Sequence, residues 1–535
     1  MTGFGRAKED RPTPKEVYNW RVYSTALAIS MGVLAYGYDS AFIGTTITQK
    51  SFLRDFGMDK MSTKERNDIS SNLTSIYSAG GFFGALIMYF SLELLGRRMT
   101  VILSDCIFIV GAIFCTVGIV PSKSLALIYA GRLLTGLGVG GIAAVSPIYI
   151  AEISPPAIRG RLTGFFESFY QTGAVIGFWI NYGIVHNIDT NSTIAWRIPM
   201  AVQLIPAGLL ALMIPMLKES PTWLLKRGRD EDAYKVYSFL RMLPENHPYI
   251  AEDVQFIKSE IAKERALLTG SENATIGQIM KAAAREASLK GMRNRFLLVF
   301  LMFMWQAWSG AAAINYYSPT IFKSIGLTDV TLWTGVYGII KAGGSIIFFT
   351  WFIDKFGRKW PWIISSLACA LCQYYLAVYI AVGHPTAGVL QSASTIAGGK
   401  GATAMIMIFG ATWSFGANGL PWIISAEIFP SSMRSVSGPF AGMSVWLWTY
   451  VVTRALPSMY TSMGWGVYVF FASCLVCASI YAYFFIHETK GLRIDQMDHL
   501  FGFERERELS GPEGKDVDSL HKESHIVEAD RKEVA

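Results

Sequence analysis

Charge is scarce in this chain: Asp, Glu, Lys and Arg supply 16% of its 535 residues, against about 25% in an ordinary soluble domain. With 52% hydrophobic residues and a mean hydropathy of +0.34, that scarcity excludes a water-soluble globule of usual composition. Cysteine is rare as well. The six thiols lack metal-ligand spacing, and several (Cys106, Cys115, Cys369, Cys474) fall inside apolar runs, so they read as core packing. No nucleophile paired with a base, no metal-ligand cluster and no phosphate-cradling loop is legible, which argues against an enzyme, a cofactor or a bound metal. Gly136-Leu-Gly138-Val-Gly140-Gly141 resembles a nucleotide loop only superficially; inside a long apolar run its glycines read as close helix packing.

What the chain does have is long hydrophobic runs. Stretches long enough to cross about 30 Å of hydrocarbon lie near 22–44, 70–92, 100–119, 126–148, 162–183, 198–217, 296–317, 333–353, 361–383, 402–426, 437–458 and 465–486. These predict an all-α membrane protein of twelve transmembrane helices in two six-helix halves, with lipid as its surroundings. The expected organisation is an N-terminal segment (1–21), a first bundle (22–217), a helical linker (218–295), a second bundle (296–486) and a tail (487–535). Amphipathic helices are expected in the linker at Asp230 to Arg241, Ile250 to Leu268 and Ile276 to Ala287, and disorder in the tail from about Gly511.

A net charge of +7 raises nucleic acid as a partner, but Lys and Arg collect at helix ends and in 218–295. The positive-inside rule then places those loops, and by parity both termini, in the cytoplasm. The larger outward loops are expected at 45–69 and 383–401, and the tripeptide from Asn191 falls in another and offers a glycosylation site. The first run follows the polar Arg6, Lys8, Glu9, Asp10 and Arg11 without a small-residue cleavage site, so it reads as a retained span.

The two halves repeat each other. Glu93-Leu-Leu-Gly96-Arg97-Arg98 recurs as Asp354-Lys-Phe-Gly357-Arg358-Lys359, Glu152 with Arg159 as Glu427 with Arg434, and Glu219-Ser220-Pro221 as Glu488-Thr489-Lys490. The offsets are 261, 275 and 269 residues (357−96, 427−152, 488−219). Duplicated bundles that rock around a site between them are how secondary transporters are built.

An ionisable side chain at mid-bilayer costs about 3 kcal/mol or more, so one that sits there is a functional candidate. Asp39 lies deep in the first span and Arg132, near the start of the fourth, is its countercharge; the pair suits proton coupling or a permanent lock between the two spans. Lys341, mid-way along the eighth span, needs an anion, a carbonyl or water, and an acidic substrate or a protein group would serve. Glu167 with Gln171 one turn on shares a face of the fifth span; the carboxylate either faces a cavity or is solvated near the cytoplasmic end.

Amides that bind hydroxyl pairs and indoles that cover a sugar-like ring recur at helical spacing. Gln306, Ser309, Asn315, Tyr316 and Tyr317 occupy the seventh span, Asn418 and Trp422 the tenth, Trp446, Thr449 and Thr453 the eleventh. Asn418-Gly419-Leu420-Pro421 should weaken the tenth helix, making it the preferred gate.

From Val17 to Phe501 these motifs resemble the sugar porter branch of the major facilitator superfamily. The resemblance is carried by Gly37-Tyr38-Asp39, both Gly-Arg-Arg/Lys loops, Arg132, Pro147 to Glu152 with Arg159-Gly160-Arg161, and Glu219-Ser220-Pro221. In the second half it is carried by Ser309-Gly310 with Asn315-Tyr316-Tyr317, Glu427-Ile428-Phe429-Pro430 with Arg434, and Glu488-Thr489-Lys490-Gly491. The opening Lys8 to Lys15, Tyr18 to Tyr23, Lys341 and Asn418-Gly419 look most like the fungal quinate permease group and its sugar-acid relatives.

The resemblance implies alternating access around a central site, driven by protons through Asp39. It also implies a cytoplasmic charge network of Glu93, Arg97, Arg98, Glu152, Arg159, Glu219, Asp354, Arg358, Glu427, Arg434 and Glu488 that closes the inner gate. Glu167 stands where hexose carriers usually have Gln, Ala307 and Ala312 where Gln and Asn are common, and Thr449 where Asn is usual.

The expectation is therefore a monomeric plasma-membrane proton symporter for a polyhydroxylated monocarboxylate such as a hexuronate or quinate. Lys341 would meet the carboxylate, Gln171, Gln306, Asn315, Asn418 and Thr449 would read the hydroxyls, Glu167 would present its carboxylate to the same substrate site, and Trp422 and Trp446 would form walls. A neutral hexose or pentose carrier is the alternative; a non-transporting sensor is disfavoured by the short tail after Phe501.

Overall fold

The computed structural model describes residues 13–118, 124–269, 285–348, 352, 356–385, 392–429 and 433–488. Six membrane helices form the first half: α1 (Trp20–Thr46), α2 (Thr63–Leu94), α3 (Arg97–Val117), α4 (Ala126–Ile153), α5 (Arg159–Asn187) and α6 (Ile194–Val202 continued by Leu204–Met213). The linker holds helices Pro221–Lys226, Asp230–Arg241 and Pro248–Thr269. The second half contains α7 (Lys290–Ala307, then Ala311–Ser324), α8 (Val330–Ile347), α9 (Lys359–Gly383), α10 (Ala393–Ser414, then Leu420–Glu427), α11 (Arg434–Met463) and α12 (Gly466–Phe485).

The expected apolar runs thus become helices, with differences at some of the loops and breaks. The loop at 45–69 contains a helix, Lys50–Asp55, and α7 is broken where one run was expected, because Gly310 takes a left-handed φ of +85°. The linker segment expected at Ile276 to Ala287 lies largely outside the described residues.

Among the described residues nine helices are long and apolar enough to span a membrane by composition alone. The membrane helices that fall short are α5, α10 and α11. They are also helices that line the cavity, where they place Glu167 of α5, Asn418 of α10 and Thr449 of α11. Lipid-suited surface lies on the perimeter instead: Leu103, Val110 and Ile113 of α3, Leu209 and Leu212 of α6, Ile364, Leu371 and Val378 of α9, and Phe484 of α12 are all exposed.

Helix starts are capped locally. Asn19 accepts the Arg21 N–H at α1, Ser62 and Glu65 form a reciprocal box at α2, and Asp329 and Ser392 cap α8 and α10. On the face that carries the linker, buried arginines close two equivalent helix ends: Arg241 Nη1 donates to Ile153 O at the end of α4, and Arg295 Nη1 to Ile428 O at the end of α10, each 2.8 Å.

The halves meet most closely on the side away from the linker. There a Cβ on Gly44 of α1 would fall 2.1 Å from the carbonyl oxygen of Tyr316 on α7. Tyr317 pairs with Thr74 at 2.9 Å and donates to Thr453 O at 3.2 Å. Arg454 donates to Ser71 Oγ at 2.9 Å, and His186 lies 3.3 Å from Asp329. The glycines of α4 serve close packing within the first half, with Gly136 and Gly140 pressed against Tyr77 O and Gly81 O of α2.

Candidate functional site

Between the halves lies a cavity of about 780 Å³, mouth included. α1 contributes Tyr36, α5 Phe166, Glu167 and Tyr170, α7 Gln306, Asn315 and Tyr316, α10 Trp413, Asn418 and Trp422, and α11 Trp446 and Thr449, with Ala307, Ala311, Ala312 and Val445 between them. Amides, a carboxylate and several aromatic faces around one space suit a compact polyhydroxylated ring.

The tenth helix breaks where Asn418-Gly419-Leu420-Pro421 predicted. Pro421 has no N–H for the carbonyl four residues back, Ala417 O. Gln306 Nε2 replaces it at 3.1 Å and also donates to Asn418 O. The amide nitrogen of Gln306, expected to read substrate, is therefore committed to the broken backbone.

Asn418 Nδ2, freed to point inward, reaches Glu167 Oε1 across the two halves at 2.5 Å and Ser345 Oγ at 3.2 Å. Gln171 Nε2 donates to the same Glu167 oxygen at 2.7 Å. Glu167 is thus on the cavity wall, half-buried, with Oε1 held by two amides.

Two expected contacts sit one layer back. Gln171, 1% exposed, is behind Glu167. Lys341, 2% exposed, is absent from the wall. Its ammonium lies 3.3 Å from Asn315 Oδ1, 5.2 Å from the Trp413 ring centre and 5.9 Å from that of Tyr170. There the ring faces and the amide oxygen supply the cation with partners inside the protein. Asn315, Asn418, Trp422, Trp446 and Thr449 do line the wall.

Trp413 was not singled out from the sequence. Its indole N–H donates to Ser309 Oγ at 3.1 Å, turning the ring across the α7 break. Tyr36 and Tyr170 were hidden for a different reason: aromatic residues are common in membrane helices, although each lies within one turn of Asp39 or Glu167.

Asp39 and Arg132 are paired and both completely buried. Arg132 Nε also donates to Leu73 O at 3.3 Å, and its guanidinium stacks 4.3 Å from the Tyr77 ring centre. Asp39 Oδ2 and Arg132 Nη2 are buried without a hydrogen-bond partner among the described residues. The aromatic link to the cavity is short: Tyr77 packs edge-on to Trp446, with ring centres 5.6 Å apart.

On the linker face the duplicated motifs fold into matching clusters. Arg97 forks onto Glu152 with two 3.0 Å bonds and lies 3.9 Å from Glu93. The backbone N–H groups of Arg97 and Arg98 donate to Glu219 Oε1 at 2.8 and 3.2 Å. In the second half Arg358 grips Glu427 at 3.2 and 2.7 Å, and Arg358 N and Lys359 N donate to Glu488.

Each carboxylate thereby caps a helix N-terminus, which leaves space only for glycine: a Cβ on Gly96 or Gly357 would meet Glu219 or Glu488 at 2.5 Å, and both glycines have positive φ (+95° and +78°). Burial nevertheless pushes the Glu219 carboxyl above its ordinary value, against the three backbone N–H groups that pull it down.

These described pairs stay within one half. Arg98 joins its cluster through backbone rather than side chain, and Arg159 is exposed at the start of α5. Asp354 and the side chain of Arg434, also expected in the network, lie outside the described residues.

Comparison with known proteins accords with this architecture. The family model described as "Sugar (and other) transporter" matches residues 25–501. The chain is 42% identical over 497 residues to a probable quinate permease of Aspergillus niger, covering 92% of this chain and 90% of that one. It is 39% identical over 502 residues to a quinate permease of Neurospora terricola, covering 92% and 91%. Among solved structures it resembles the E. coli xylose transporter XylE in a partially occluded inward open conformation, with TM-score 0.71, 23% identity and coverage of 89% and 100%. Two six-helix halves, a cavity between them, and matches of this extent make the chain a member of the sugar porter family of the major facilitator superfamily, a family of membrane transporters rather than enzymes.

Proposed function

We infer that this carrier is a monomeric proton symporter that imports a sugar-like polyhydroxylated monocarboxylate, a hexuronate such as galacturonate or quinate, across the plasma membrane. Its linker face and both termini are cytoplasmic, and its coupling ion, the proton, is its only cofactor. It needs no nucleic acid or other partner beyond membrane lipid and substrate.

The observation that carries the reading is the Asp39–Arg132 pair, fully buried one aromatic layer from the cavity. Removing one charge of such a pair strands the other. Protonation of Asp39 therefore releases Arg132 to its carbonyl and ring partners and loosens α1 from α4. Closing and reopening the contacts around Gly44, Tyr317 and Arg454 then exposes the cavity to alternate sides. The quinate permease relatives support the substrate class.

The test is uptake by proteoliposomes under an imposed pH difference alone. Asp39→Asn should abolish uphill accumulation and retain solute exchange; accumulation equal to that of the unmodified chain would overturn the coupling. A neutral hexose or pentose is the second reading, favoured by Lys341 lying behind the wall while Glu167 lies on it. Competition among galacturonate, quinate, xylose and glucose separates the two.

A further inference from the structure

Resting on the acid-substrate reading above, one carboxylate of the cavity has no place in the Asp39 mechanism. Glu167 projects from α5 onto the cavity wall, and both amides that reach it, Gln171 Nε2 at 2.7 Å and Asn418 Nδ2 at 2.5 Å, donate to Oε1. Oε2 receives no hydrogen bond from a described residue and is not enclosed. In a protonated carboxyl one oxygen accepts and the other carries the hydrogen. The two amides thus occupy the oxygen that accepts in either protonation state and leave the second oxygen able to take a proton.

The surrounding charges give that proton a purpose. α8 contributes Lys341, whose ammonium rests on Asn315 and beside the Trp413 and Tyr170 rings, groups that line the same cavity as Glu167. α1 presents Tyr36, with Asp39 engaged by Arg132 of α4, while α5 itself adds Tyr170 and α7 Tyr316. Phenols carry no charge near neutrality. α10 and α11 present Asn418, Trp413, Trp422, Trp446 and Thr449, all uncharged. Lys341 stands one layer behind the wall, whereas an entering acid brings its carboxylate beside Glu167 on the wall itself, and two carboxylates in one low-dielectric site do not both stay ionised.

We propose that Glu167 is a second proton-binding group of this carrier, loaded together with an anionic substrate and releasing its proton when that substrate leaves. The proton forms an O–H bond at Oε2, which donates to the substrate carboxylate as a charge-assisted hydrogen bond. On the inner side the carboxylate departs, the O–H bond breaks, and the proton goes to water. With the proton on Asp39, two enter for each monocarboxylate, so acid import moves one net positive charge. A neutral sugar leaves Glu167 ionised and moves with the Asp39 proton alone.

The experiment uses the full chain in voltage-clamped cells, with galacturonate and quinate as probes and labelled uptake recorded beside current. Expected are an inward current with acid, about two protons per acid, and a KM that rises about tenfold per pH unit above the Glu167 titration, the slope of one linked proton. The acid uptake that Glu167→Gln retains, at whatever rate, should carry no current, about one proton per acid and no such slope; Glu167→Asp should restore all three. Should Glu167→Gln be inactive, the ratio in the unmodified chain decides: one proton per acid overturns the proposal. An unchanged current and slope in an active Glu167→Gln overturn it too, with the acid reading left intact. A chain that takes up neutral sugars and no acid overturns both.

Discussion

At the scale of single residues, burial decides what each ionisable group is able to do. Asp39 and Arg132 are both fully buried, so neither is solvated when its partner is lost. Arg132→Leu should strand a carboxylate and cost about 3–5 kcal/mol, seen as loss of the monodisperse peak in detergent. Adding Asp39→Asn to that variant should recover much of the loss, since the stranded charge disappears with it; equal damage in the single and double variants would refute a coupled pair. The pair itself was legible in the sequence, because charge in an apolar run stands out. The position of Lys341 relative to the wall was not: its distance from the cavity depends on where Trp413, Tyr170 and Asn315 project, and those belong to three other segments.

At the scale of elements, helix breaks do the work of placing polar groups. Pro421 removes a donor, Ala417 O loses its helical partner, and Gln306 of α7 fills the gap at 3.1 Å. That bond ties the two broken helices of the second half together beside the cavity. Gln306→Leu should strand two carbonyls and cost about 1–3 kcal/mol. It should appear as a lowered melting temperature together with weaker substrate binding, whereas a variant with unchanged melting and unchanged affinity would show that the bond positions nothing. The break in α10 was foreseeable from Gly419 and Pro421 alone, whereas its repair was not, since the donor lies more than a hundred residues away (417−306 = 111).

At the scale of the molecule, contacts between the halves close one side, and on the other side Arg97 with Glu152 and Arg358 with Glu427 each pair residues of one half. Carboxylate-capped α3 and α9 are features of each bundle that survive with the far side closed. Closure there brings α1 and α7 into backbone contact at Gly44. Gly44→Ala places a methyl group 2.1 Å from the Tyr316 carbonyl oxygen, and backbone has little room to yield. The far-closed state should be disfavoured by about 1–3 kcal/mol. A Thr449→Cys reporter in the cavity should then be labelled less from the linker side, with folding retained; undiminished labelling and transport would show that the halves do not need this approach.

The sequence by itself determined the membrane class, the twelve spans, the duplication and the buried Asp39, because hydrophobic length, repeated motifs and isolated charges are properties of short stretches read one at a time. Only the tertiary structure decided that Glu167 and Asn418 meet across the halves, that Gln306 serves backbone, that Lys341 stands behind the wall and that Trp413 belongs to it. Those outcomes depend on the distances between side chains brought together from separate helices, and hydrogen bonds and ion pairs form over a few ångströms of space regardless of separation along the chain.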